Sequence, residues 1–172
     1  VGPLLSLGML SAAARAWRDG ILEERYEIRR PETVDSFLED LAGRPGPAVL
    51  LCSNYVWSLA SNLRAATEGR QLNDRLLVVH GGPSTPKYDD DVARFFEQHA
   101  DIADVLVHGE GEESLCELLA ALVDDGAFDP RSVTLSTVDG ISYRTGGSGE
   151  LVRTPDRARI TDLDALPSPY LT

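Results

Sequence analysis

An α/β fold built on a mostly parallel, doubly wound sheet is what this sequence predicts, and three observations carry the expectation. Short, largely apolar runs, Ala48-Val49-Leu50-Leu51-Cys52, Leu76-Leu77-Val78-Val79-His80 and Asp104-Val105-Leu106-Val107, read as strands covered on both faces. Stretches of helical periodicity lie between them, so strand and helix alternate. At 172 residues the chain has room for one such domain and a tail, and is too short for two full domains.

The elements follow in order. Leu4, Leu7, Leu10, Ala14 and Trp17 recur at helical spacing and predict a first helix over roughly residues 4–18. A short strand is expected at Tyr26–Arg29. Thr33 is placed to cap a helix whose inner face is Val34, Phe37, Leu38 and Leu41, and the stretch from Gly43 to Pro47 breaks it. After the first apolar strand, a helix over roughly residues 58–69 is expected to end at Gly69. Asp89 to Asp91 open the next, running to about His99, their acids suited to its positive N-terminal end. Glu112–Val123 forms another.

Beyond Asp129 the texture changes. Val133–Thr137 and Ile141–Arg144 read as strands, and Gly146-Gly147-Ser148-Gly149 turns the chain into Leu151–Arg153. A C-terminal β-hairpin on the sheet edge is therefore expected. The domain, of the flavodoxin- or Rossmann-like kind, is assigned residues 1–154. Residues 155–172, with Pro167 and Pro169 and no periodicity, read as a linker towards a catalytic domain outside this chain. Doubly wound domains usually open on a strand, whereas this chain opens on a helix.

Charge and composition narrow the function classes. Sixteen Lys+Arg against 28 Asp+Glu leave a net charge of −12, which repels phosphate backbones and anionic lipid. No nucleic acid and no membrane are expected as partners. No apolar stretch approaches the roughly 20 residues of a membrane span, and no basic segment precedes the N-terminal apolar run, so no signal peptide is expected. Cys52 and Cys116 lie in apolar runs and read as buried, reduced thiols. The expected compartment is cytoplasmic.

In an open parallel sheet, ligands bind outside the carboxyl ends of the strands. The loops there are Ser53-Asn54-Tyr55-Val56-Trp57, Gly81-Gly82-Pro83-Ser84-Thr85-Pro86 and His108-Gly109-Glu110-Gly111-Glu112-Glu113. Their small residues let a ligand approach the backbone, and Tyr55 and Trp57 add aromatic surface. A large, flat, mostly apolar ligand suits such a rim. Phosphate suits it less, because Glu110, Glu112 and Glu113 already place negative charge at the helix start. The Gly-x-x-x-x-Gly-Lys-Ser/Thr signature is absent as well. Each loop also has a plain structural reading, as a helix start with favourable acids or as a tight turn.

His80, His108, Glu110, Glu112 and Cys52 are metal-ligand residue types near strand ends, but no His-x-x-x-His or Cys-x-x-Cys spacing groups them. Strand-end histidines more often hydrogen-bond to backbone. There is no Gly-x-Ser-x-Gly elbow, and Ser53 has no partner histidine at a diagnostic spacing. The sequence thus assigns no catalytic residue and no metal ligand. The domain reads as a binder.

These loops resemble the cobalamin-binding domain at the N-terminus of cobalamin-dependent radical S-adenosylmethionine enzymes. The similarity runs from roughly Gly2 to Tyr170. It is carried by Ser53-Asn54-Tyr55-Val56-Trp57, Gly81-Gly82-Pro83, the Asp104…Gly109-Glu110-Gly111-Glu112 run and the tail from Asp162 to Tyr170. In cobalamin-binding domains a Ser-x-Leu motif precedes a Gly-Gly pair by nearly thirty residues. Ser53-x-Tyr55 stands 28 positions before Gly81, with Tyr in place of Leu.

The resemblance implies that Ser53, Gly81 and Gly82 border the nucleotide tail, that Tyr55, Val56 and Trp57 lie beneath the corrin ring, and that Gly109, Glu110, Gly111 and Glu112 lie beside it. Asn54, Pro83 and Ser84 complete the implied cofactor-binding set. The Asp-x-His-x-x-Gly motif is absent, which implies base-off cobalamin with no protein histidine below cobalt. Radical S-adenosylmethionine chemistry needs three cysteines for a 4Fe-4S cluster, and this chain has two. The resemblance therefore implies a fragment, inactive alone. Its partner would be a C-terminal radical S-adenosylmethionine domain of the same polypeptide, acting on a small-molecule or peptide substrate. Methyl transfer from methylcobalamin is the first expectation for the parent; cyclisation and rearrangement also occur in the family.

Two readings from other classes compete. A ligand-free flavodoxin-like interaction module of the receiver type would want acids around a phosphorylatable Asp, yet the strands end in Cys52, His80 and Val107-His108. A flavin-binding domain would prefer a phosphate loop after the first strand.

Overall fold

The computed structural model describes residues 5–124, 135–145 and 149–170. Helix α1 (Leu5–Ala16) buries Gly8, Ala12, Ala13 and Ala14, small residues that let it lie close on its neighbours. A 3-10 turn at Trp17–Gly20 then reverses the chain, with Arg18, Asp19 and Gly20 at φ of 45°, 61° and 91°. Short α2 (Ile21–Arg25) follows. Helix α3 (Val34–Ala42) starts at a capping box in which Thr33 and Ser36 satisfy each other's backbone amides.

The remaining elements alternate: β1 (Ala48–Ser53), α4 (Leu59–Leu72), β2 (Leu76–Gly81), α5 (Asp89–Gln98), β3 (Val105–Val107) and α6 (Glu112–Asp124). The hairpin strands β4 (Ile141–Arg144) and β5 (Leu151–Arg153) come last. The sheet order is β1-β2-β3-β4-β5. The pairs β1–β2 and β2–β3 are parallel, and β3–β4 and β4–β5 are antiparallel. Among the described residues only β4 therefore runs against the other strands. The expected hairpin occupies the sheet edge, and its turn residues 146–148 lie outside the described residues.

Helices cover both faces, which is why the parallel strands are continuously apolar. On one face Ala13 and Ala14 of α1 and Leu115, Leu118 and Leu122 of α6 pack on Val79, Val105 and Val107. On the other, Phe37, Leu41 and Ala66 pack on Leu76 and Val78, while Val92, Phe95 and Phe96 pack on Leu106. No helix among the described residues is long and apolar enough to cross a membrane.

Three local expectations are corrected. The segment Tyr26–Arg29 is irregular and joins no sheet among the described residues. Instead the Tyr26 hydroxyl donates to the Leu119 carbonyl of α6 at 2.8 Å, so the segment serves a helix face. Helix α4 does not end at Gly69 but passes through it to Leu72. A Cβ at Gly69 would stand 2.8 Å from Leu76 and 3.1 Å from Phe37, so this glycine serves close packing, not termination. Residues 135–137, expected as part of a strand from Val133, form a turn closed by Val138 N–H donating to the Leu135 carbonyl at 3.0 Å. That turn sends both Leu135 and Val138 into the core. Residues 133–134 lie outside the described residues.

The segment after β5 returns along α6 and α1. Arg157 donates to Ser114 and Glu113, each at 3.0 Å, and also pairs with Glu117. The Ile160 amide donates to Glu110 at 2.6 Å. Further on, Pro169 lies so close to Gly8 that a Cβ on Gly8 would stand 3.1 Å from it.

Candidate functional site

Side chains alternate along a strand, and this alternation divides the expected residues. At the carboxyl ends, Leu51, Ser53, Val79, Gly81 and Val107 share the parity that faces α1 and α6. Cys52, Asn54 and His80 carry the opposite parity and turn towards α4 and α5. The first set lines a cleft of about 230 Å³. Ser6, Leu7 and Leu10 of α1 line it from one side, and Leu115 with the loop Gly109 to Glu112 from another.

Of the residues expected from the sequence, Ser53, Tyr55, Gly81, Gly82, Pro83, Gly109, Glu110, Gly111 and Glu112 are brought together in this cleft. Val56 and Trp57 are not in its lining. They stand out from the surface, 88% and 72% exposed. The Trp57 ring stacks on Tyr55 with centroids 4.8 Å apart and planes 16° apart, so an aromatic platform borders the cleft.

Asn54 and Ser84 serve the loops instead. The Asn54 amide N–H donates to the Gly81 carbonyl at 2.7 Å, and its carbonyl accepts from the Ser84 amide at 2.9 Å. Its side-chain nitrogen donates to His80 Nδ1 and Thr85 Oγ1, both at 3.1 Å, while its Oδ1 accepts from Asn62 at 2.8 Å. Every polar group of this fully buried residue is satisfied. Ser58 and Asn62 also donate to the Ser53 carbonyl, at 2.8 and 3.0 Å. The first two loops are thereby locked to each other.

The network also assigns the proton on His80. An amide nitrogen can only donate, so Nδ1 accepts and Nε2–H donates to the Ile102 carbonyl at 3.1 Å. Burial pushes the His80 pKa down to about 4. His108 bonds Ser142 Oγ through Nε2 at 2.8 Å, and burial, with the charge of Arg153, lowers it likewise to about 4. His99 packs on the Phe95 ring at the end of α5. The strand-end histidines thus bond to side chains as well as backbone. Among the described residues, no three of His, Cys, Asp and Glu gather as metal ligands. Cys52 and Cys116 are free thiols packed on opposite faces of the sheet, pushed up to about 12 by burial.

The two adjacent glycines are needed for different reasons. Gly82 has φ +91°, and a Cβ there would stand 2.9 Å from both the N and the O of Asn54. Its role in the turn is enough to require glycine. Gly81 is unstrained, and its Cβ would meet only Val107 at ordinary contact distance, 3.7 Å.

The same chain aligns along nearly its whole length with named proteins. It is 34% identical over 170 residues, 98% of the chain, to the cobalamin-dependent radical SAM methyltransferase TokK of Streptomyces tokunonensis. Over 147 residues, 85% of the chain, it is 36% identical to the 2-(S-pantetheinyl)-carbapenam-3-carboxylate methyltransferase of Streptantibioticus cattleyicolor. The chain is a homologue of part of these two methyltransferases, the first of them a cobalamin-dependent radical S-adenosylmethionine enzyme. It spans 23% and 20% of the length of these two relatives. No family model matches it.

The element of the cleft that the sequence does not reveal is α1. Leu7 and Leu10 read as one stripe of a core-facing helix, and nothing in their spacing separates a leucine facing a cleft from one facing a core. Ser6, beside them, meets Ser53 with the two hydroxyl oxygens 3.1 Å apart.

Proposed function

We propose that residues 1–154 form a cobalamin-binding domain, and that the following segment leads to a radical S-adenosylmethionine domain of the same polypeptide, which methylates its substrate. The observation that carries this reading is the cleft at the strand ends, bordered by an exposed aromatic stack. At about 230 Å³ it is smaller than the roughly 300–1,000 Å³ of pockets that enclose a whole ligand. It suits one arm of a large ligand whose body lies outside on the rim.

A corrinoid has that shape, with its nucleotide tail as the arm and its ring as the body. The residues fit it chemically. A largely apolar cleft carrying the Ser6 and Ser53 hydroxyls would receive the tail, and glycine at 81 would keep that space open. Tyr55, Val56 and Trp57 would support the lower face of the ring and exclude water from it, while the Glu110 and Glu112 carboxylates offer acceptors to its amide-bearing edge. His80 and His108 are already committed to Asn54, Ile102 and Ser142, which supports a base-off cofactor with no histidine from this chain. Bound methylcobalamin would supply the methyl group.

Cys52 and Cys116 point into opposite core layers and cannot converge on a 4Fe-4S cluster. The cluster, S-adenosylmethionine and the small-molecule or peptide substrate are assigned to the remainder of the polypeptide, and the chain to the cytoplasm. The exposed apolar surface of Val56 and Trp57 beside the cleft is of the kind that marks a partner site, here the face towards that domain. The test is reconstitution with hydroxocobalamin, with a flavin in parallel, followed by desalting. A corrinoid spectrum that stays with the protein is expected. Loss of all colour would return the domain to an interaction module, and retained yellow to a flavin protein.

A further inference from the structure

We propose that α1 makes the cleft selective for a benzimidazole-type lower base over a purine one. The inference rests on the cobalamin reading above and concerns which corrinoid the chain accepts. The walls of the cleft are hydrocarbon: Leu51, Val79 and Val107 from the sheet and Leu115 from α6, faced by Leu7 and Leu10 of α1. Val79, Val107 and Leu115 are buried, and none of these six apolar side chains offers a ligand a donor or an acceptor.

Set among these walls is the Ser6–Ser53 hydroxyl pair, with Cys52 and Tyr55 also on the lining. Two hydroxyls bring two protons, and the bond between them uses one, so the pair keeps one O–H to donate. Two carboxylates also border the cleft, Glu110 from the loop and Glu112 from the first turn of α6, where its charge suits the positive helix end. Glu110 is exposed and already accepts from the Ile160 amide.

A benzimidazole lifted from cobalt presents hydrocarbon and one bare ring nitrogen. That matches one donor among apolar walls. A purine such as adenine brings an amino group and further ring nitrogens, which leucine and valine walls leave without partners. Unpaired polar groups in a closed site are rejected far more strongly than a missing methyl group. Because α1 contributes Ser6, Leu7 and Leu10, this helix decides the outcome.

The test titrates the full chain with cobalamin, an adenine-bearing cobamide and cobinamide, which has no base, reading the corrinoid spectrum retained after gel filtration. Cobalamin is expected to bind at least about tenfold more tightly than either of the others. Leu7→Asn gives the cleft wall a polar partner at a half-buried residue outside the three core clusters, and should bring the two base-bearing cobamides within about threefold. Equal affinity of the wild-type chain for these two overturns the selectivity and leaves the cobalamin reading standing. So does an unchanged ratio in a Leu7→Asn variant with native circular dichroism. Retention of no corrinoid at all overturns the cobalamin reading, and the selectivity with it.

Discussion

The side chains of Ser6 and Ser53, 47 positions apart in the chain, meet with their hydroxyl oxygens 3.1 Å apart. One belongs to α1 and the other ends β1, so their hydrogen bond ties the helix to the sheet at the cleft. Ser6→Ala and Ser53→Ala should each lower stability by about 1 kcal/mol. A double-mutant cycle followed by urea unfolding should give a coupling of about 0.5–1 kcal/mol between them. Additive losses would mean that the two hydroxyls do not bond in solution.

Gly81 and Gly82 should respond oppositely to substitution. Gly82→Ala forces a Cβ against the Asn54 backbone at φ +91° and should lower stability by about 1–3 kcal/mol. Gly81→Leu meets no backbone clash, so its side chain should grow into the cleft, leaving circular dichroism native and abolishing corrinoid retention. Full retention by Gly81→Leu would remove this cleft as the seat of the tail.

The histidines make stability fall in mild acid. Folded His80 and His108 hold pKa values of about 4 against an ordinary value of 6.5, chiefly because burial disfavours the charged ring. Between those values the unfolded chain binds more protons, so the stabilising contribution is complete above about pH 6.5 and declines as pH falls towards 4. From pH 7 to pH 5 each histidine should remove about 2 kcal/mol. Urea midpoints measured across that window should show the slope, and His80→Gln should take away about half of it. An unchanged slope in that variant would clear His80 of the effect.

Trp57 should separate binding from folding. It is 72% exposed and its main contact is the Tyr55 ring, so Trp57→Ala should lower stability by about 1 kcal/mol or less. Corrinoid retention should fall about tenfold or more if the stacked pair supports the ring. The measurement is a titration beside a melting curve, and unchanged retention would take the aromatic platform out of the site.

Local physics makes much of the fold legible in the sequence. A strand covered on both faces must be apolar throughout, as in Ala48–Cys52, and an amphipathic helix repeats its apolar face every three to four residues, as in Val34, Phe37 and Leu41. The same locality explains the misreadings. Tyr26–Arg29 has strand-like residues but pairs with no strand among the described residues, and Gly69 looks like a helix stop until Leu76 and Phe37 are seen against it.

By itself, then, the sequence determines the alternating layers, the hairpin, and the end of the sheet where the candidate residues gather, since parallel strands bring their carboxyl-end loops to one side. Which of those residues line the cleft is decided only in three dimensions. Ser53 pairs in register with Gly81, so both turn to α1, while Asn54 and His80 turn away and become the scaffold behind them. Parity along a strand is a local property, but the helix that covers each parity is not. Here α1 reaches the end of β1 through packing against α6 and a contact 47 residues long in sequence, and no local pattern encodes that distance.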